Sequence, residues 1–130
     1  MSAAARVREV TFTKAIPLLP TKSLERTKEW YERHLGFEAA EGWKEGNFLI
    51  LRRDGQTLFF SPTDHPQAAE AGTMYLHVAG DIDALAARLK ADGLDLHDAP
   101  EDKPYGMREF TVHDADGRHV LIGKPLEARP

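Results

Sequence analysis

The chain has 130 residues, 42% of them hydrophobic and 29% charged, with no cysteine and a formal net charge of −4. That length suits one domain with a core of its own, and the lack of cysteine excludes disulfide scaffolds, thiolate catalysis and cysteine-ligated zinc. An excess of acid, 21 Asp and Glu against 17 Lys and Arg, argues against a nucleic-acid partner, whose capture needs clustered positive charge. No apolar run approaches the roughly 18 residues of a membrane span, and the N-terminus has no signal-peptide h-region, so no membrane partner is expected and the expected compartment is the cytoplasm.

The first ten residues read as a frayed tail. Thr11 to Leu19 reads as a strand with Phe12, Ile16 and Leu18 pointing inward, and Pro17 places that strand at an edge or at a crossing point, because proline cannot donate to a ladder. Ser23 is an N-cap with Glu25 in the first turn. The helix it opens runs to Leu35, burying Leu24, Thr27, Tyr31 and Leu35 as one stripe, and Gly36 closes it. Short strands are expected over residues 37–43, 47–53 and 57–61, the last two joined by the hairpin signal Asp54-Gly55. A polar stretch with two prolines, 62–72, breaks the pattern.

The second half repeats the first. Residues 73–79 read as a strand, Asp81 as an N-cap, and Ile82, Leu85 and Leu89 as a helical stripe ending at Asp92-Gly93. A strand around 94–97, an acidic loop over 98–104, and a hairpin of 107–113 with 118–123 follow. Ser23 to Asp81 and Ile16 to Met74 are each 58 residues apart, Gly36 to Gly93 is 57 and Gly55 to Gly117 is 62. A two-fold β-α-β-β-β repeat accounts for these offsets, with module one over about 11–61 and module two over about 73–123 of a single domain, 1–130.

Several segments carry a family resemblance. They are Ser23-Leu24, Trp30-Tyr31 and Leu35-Gly36-Phe37 in module one, with Val78 to Asp83 and Asp114-Ala115-Asp116-Gly117 in module two. In order and spacing these resemble the vicinal oxygen chelate superfamily of glyoxalases, dioxygenases and bleomycin-resistance proteins. The resemblance is strongest to the last group, through Ala15-Ile16-Pro17-Leu18-Leu19, Asn47-Phe48, Thr57 to Ser61 and Tyr105-Gly106-Met107-Arg108-Glu109-Phe110. The final segment departs from that group's pattern by one inserted residue, Met107. The resemblance implies an α+β fold of paired modules forming a curved mixed sheet. It also implies an arm-exchanged homodimer whose clefts draw on both chains and sequester a bleomycin-like small molecule unaltered.

The enzymes of the superfamily are metal-dependent lyases and oxygenases, and their metal needs several N or O ligands converging on one point. Aligned by the repeat, the ligand positions fall at Ile16, Phe59, Met74 and Leu121. Carbon side chains and a thioether cannot hold such an ion, so neither a metal at these positions nor a cofactor is expected. Of the six histidines, His34 reads as a surface residue at a helix end, and His77, His113 and His119 lie on strands where alternation brings some onto one face. No G-x-S-x-G, G-x-G-x-x-G or P-loop motif is present. Glu101-Asp102 reads as a solvated face and Asp114 with Asp116 as turn chemistry.

The reading is therefore of a metal-free binding protein rather than an enzyme, with a glyoxalase- or dioxygenase-like enzyme, or a binder of some other small molecule, as the alternatives. Phe48 and Tyr75 fall where the resistance proteins carry ring-stacking aromatics. Phe59, Ser61, Met74, His77, Tyr105, Met107 and Arg108 complete the expected ligand contacts, with Phe60 and Phe110 as further aromatic candidates. Arg108 and Glu109 are expected either to pair across the dimer or to orient ligand.

Overall fold

The computed structural model describes residues 10–127, and all but the last residue of the tail expected over the first ten lies outside them. Strand β1 spans Leu18–Thr21, later than expected, after a segment from Val10 with no regular secondary structure. Phe12, Ile16 and Leu18 point outward, not inward: Phe12 is 85% exposed and Leu18 61%. The inward side chain here is Thr21, whose hydroxyl bonds to that of Thr27 at 2.7 Å. Helix α1, Leu24–Leu35, starts at Ser23, which accepts from Arg26 N–H, and ends at Gly36 in the left-handed region (φ 68°). Its buried stripe is the expected one with His34 added, so His34 is not a surface residue.

Strand β2 is only Glu38–Ala39, and the end of the expected strand is instead a turn that leads into a short helix, α2 (Trp43–Gly46). Strands β3 (Leu49–Arg53) and β4 (Gln56–Pro62) form the hairpin, with Asp54 and Asn47 both at positive φ. The joint between modules holds helix α3, Pro66–Glu70. Module two follows as β5 (Thr73–His77), α4 (Ile82–Ala91, capped by Asp81), β6 (Asp98–Asp102), β7 (Met107–His113) and β8 (His119–Pro125). The strand expected at 94–97 and the loop at 98–104 are thus exchanged in part. Residues 98–102 pair with β7 because Asp98 accepts from Thr111 N–H at 2.6 Å and Asp102 faces Arg108 across the ladder.

The two sheets have the same order, β1-β4-β3-β2 and β5-β8-β7-β6, each with one parallel and two antiparallel pairings. Strand β1 lies at a sheet edge, a position that suits Pro20 within it and Pro17 just before it. One core joins both sheets and both long helices: Leu24, Tyr31 and Leu35 of α1 with Ile82, Ala86 and Leu89 of α4, against Leu49, Leu51, Leu58, Phe60, Phe110, Val112, Val120 and Ile122. A buried polar staple links the modules. Asp114 accepts from Tyr31 Oη and from the Arg118 guanidinium, each at 2.8 Å, while Arg118 also donates to Pro20 O and Asp116 accepts from Lys22 N–H. Asp114 and Asp116 therefore do more than shape a turn.

Candidate functional site

Successive side chains on a strand point to opposite faces, so the positions between the core residues line a second face of each sheet. On the first sheet this outer face carries Leu18, Ile50, Phe59 and Ser61, with Phe48 just before β3. Phe48 and Phe59 meet edge to face, centroids 5.1 Å apart. On the second sheet it carries Tyr75, His77, Leu121, Gly123, Glu109 and Thr111, with Tyr105 on the turn before β7. The Tyr75 and His77 rings meet at 4.7 Å. Among the described residues no ring contact joins the Phe48–Phe59 group to the Tyr75 group within one chain.

Glu109 is the centre of the second outer face. It is 4% exposed, yet its partners are two phenols at the surface: Tyr75 Oη donates to one carboxylate oxygen and Tyr105 Oη to the other. Burial pushes the Glu109 carboxyl up, but the two phenol hydrogen bonds, with Lys103 and His77 nearby, outweigh it and hold the group below its ordinary value. Burial and the Glu109 hydrogen bond push the Tyr75 phenol up to about 12, and the Glu109 bond raises Tyr105. Tyr75 can reach Glu109 because Gly123 has no side chain: a Cβ there would lie 2.7 Å from Tyr75 Oη and 3.1 Å from Glu109 Cβ. Tyr75 remains 40% exposed and Tyr105 63%.

At the other end of this face three imidazoles meet edge to face or tilted. His113 and His119 are direct cross-strand partners with ring centroids 4.6 Å apart, and His97 lies 5.3 and 5.2 Å from them. Burial, then the neighbouring His119 and His97, lowers the His113 pKa from its ordinary value.

The expected contacts divide into three groups. Phe48, Phe59 and Ser61 lie on the first outer face; Tyr75, His77 and Tyr105 lie on the second, and Met107 continues its line of positions beside Pro125. Met74 does not belong with them: it is buried in the core facing the helices, as are Phe60 and Phe110. Arg108 also falls on the other side, where its guanidinium holds Asp83 at 2.7 Å and Asp102 at 2.9 Å. Within one chain it does not pair with Glu109 and lies on the other face, while Asp102 is both solvated, as expected, and a partner of Arg108. Gly123 is not among the expected contacts, and Glu109 is expected only as a companion of Arg108. Counting alternation back from the core residue Phe110 reaches Glu109, and a glycine inside a strand, a sign of close approach, reaches Gly123.

The side chains at the superfamily's metal positions do not fit an ion. Ile16 precedes β1, Met74 faces the core, and Phe59 and Leu121 are hydrocarbon on the outer faces. Among the described residues no three His, Asp or Glu side chains gather as metal ligands. Two surface depressions lie away from both outer faces. One is between α1 and the β7–β8 turn, at Arg26, Trp30, Arg33 and Ala115; the other is beside the start of α4, at Asp83, Arg108 and Lys124.

Comparison with known proteins agrees with this architecture. The sequence model of the Glyoxalase/Bleomycin resistance protein/Dioxygenase superfamily matches residues 12–121. The chain is similar to the bleomycin-binding protein of bleomycin-producing Streptomyces verticillus, solved with copper(II)-bleomycin. They share 25% identity over 92% of this chain and 99% of that one, with a TM-score of 0.69. A glyoxalase/bleomycin resistance protein/dioxygenase from Nocardioides (20% identity, 97% and 91% covered, TM-score 0.74) and TioX from Micromonospora sp. ML1 (22%, 88% and 100%, 0.71) share the fold. No curated protein matches the sequence.

Proposed function

The chain belongs to the glyoxalase/bleomycin resistance protein/dioxygenase superfamily, and from that membership we propose that it is a binding protein that captures a small flat antibiotic of the bleomycin type without chemical change. The observation that carries this reading is the uncovered outer face of the second sheet, where exposed Tyr75 and Tyr105 are fixed on a buried carboxylate. Ligand sites combine apolar and aromatic surface with a few oriented polar groups, and this face has both. The likeness to a bleomycin-binding protein supports the ligand class. The hydrocarbon at the superfamily's metal positions favours capture over metal-assisted chemistry.

In this reading the active unit is a homodimer of single-domain chains in the cytoplasm, exchanging the segment before β1. Phe12, Ile16 and Leu18 are exposed along that segment, as are Tyr75 and Tyr105 on the second outer face. A second copy covers these side chains, setting the Phe48–Phe59 group of one chain opposite the Tyr75 group of the other.

The test is calorimetric titration and thermal shift with metal-free bleomycin in EDTA. Saturable binding of one drug per chain is expected, with a rise in Tm, since a ligand at a hundredfold over Kd adds about 2.7 kcal/mol to stability. No shift at high micromolar drug would overturn the ligand assignment.

A further inference from the structure

Which groups a bound molecule must present is set by where the hydroxyl protons of Tyr75 and Tyr105 point. A phenol has one proton and accepts through its oxygen lone pairs. An ionised carboxylate only accepts, so both bonds to Glu109 use the phenol protons. What each hydroxyl has left is lone pairs. The bond to an anion also makes the phenol oxygen a better acceptor, because hydrogen bonds in a chain polarise one another.

The local charge has the same sign. Glu101 is the direct cross-strand partner of Glu109, and Lys103, the nearest cation, is held by Glu101 at 2.5 Å. Arg108 is committed to Asp83 and Asp102 on the opposite face, and Lys124 donates to Gly80 O. Among the described residues no ion pair is made by Glu109. His77, whose ring meets that of Tyr75, is the one other titratable group beside it.

We propose that Tyr75 and Tyr105, with their protons committed to Glu109, form an acceptor-only contact that selects flat ligands bearing an N–H-rich cation, such as an amidinium, guanidinium or aromatic ammonium, over anionic ligands. This rests on the binding reading above and makes Glu109 a positioning residue that sets polarity through the two phenols. Glu109→Gln is the informative change. A carboxamide keeps the shape, but its NH2 is a donor, so one tyrosine must turn its own proton outward or lose its partner.

Two flat dyes test the proposal on the full chain by fluorescence titration: proflavine, a cation with amino N–H donors, and 1-anilinonaphthalene-8-sulfonate, an anion. Wild type is expected to bind proflavine saturably and at least tenfold more tightly than the sulfonate. Glu109→Gln is expected to lose about tenfold in proflavine affinity and to lower the phenol midpoint seen at high pH by absorbance. Tyr105→Phe, at an exposed site that leaves the core untouched, should also weaken proflavine if folding of the first variant is impaired. Equal affinity for the two dyes, no saturable proflavine binding, or proflavine binding unchanged in both variants overturns the proposal. Bleomycin separates this from failure of the binding reading: drug bound equally by wild type and Glu109→Gln sinks only the polarity claim, and drug bound by neither sinks the ligand assignment.

Discussion

At Gly123 strand β8 gives up a side chain, and the Tyr75 ring takes the space. Gly123→Ala must push a methyl into that ring, an overpacking that costs typically about 1–3 kcal/mol. The loss should be visible as a lower Tm, and the Tyr75 phenol, separated from Glu109, should titrate below its value of about 12. An unchanged phenol titration would mean that the ring does not lie where it is described. His113 gives a second residue-scale prediction, with a definite sign. Its folded pKa lies below the ordinary 6.5, so below that pH the unfolded chain takes a proton that the folded chain refuses. Stability contributed by this site is therefore full at neutral pH and falls as acid is added, until the folded pKa is reached. His113→Asn is expected to flatten the acid side of a Tm-against-pH profile below about pH 6.5, with little change at pH 8.

Among the elements, those with strong local signals were legible in the sequence. Ser23, Gly36 and Asp81 fixed the helix ends, because caps satisfy backbone groups wherever the helix sits. Ser23→Ala should cost about 1 kcal/mol and Asp81→Ala a similar amount in urea denaturation, with unchanged m-values. The less legible elements depend on partners far along the chain. β6 is held by Asp98 on Thr111 N–H and by pairing with β7, so its Asp-Ala-Pro-Glu-Asp sequence resembles a loop. The segment 11–17 alternates like a half-buried strand, yet its apolar side chains find no cover within one chain. The site was half legible for a related reason. The family resemblance pointed to Tyr75, but the one-residue register that sends Met74 and Arg108 to the other face is fixed by pairing with β8 and by Asp83.

Over the whole molecule, the staple around Asp114 ties the two modules, and the outer faces depend on their remaining in register. Asp114→Ala leaves the Arg118 guanidinium buried without its anion, a change that costs about 3–5 kcal/mol in comparable pairs. It should therefore lower Tm more than any cap mutation does. Leu18→Glu, on the exposed edge of β1, should shift a dimer towards single chains in sedimentation velocity while leaving the helical circular dichroism unchanged. Wild type sedimenting as a single chain at high micromolar concentration would remove the second wall from the proposed site. Whether ligand is held on the outer face of the second sheet is tested most directly by amide chemical-shift mapping on the labelled full chain with metal-free bleomycin. The largest shifts are expected at Tyr75, Glu109, Thr111 and Gly123. Shifts gathered instead in the depression between α1 and the β7–β8 turn, at Arg26, Trp30 and Ala115, would contradict a site on that face.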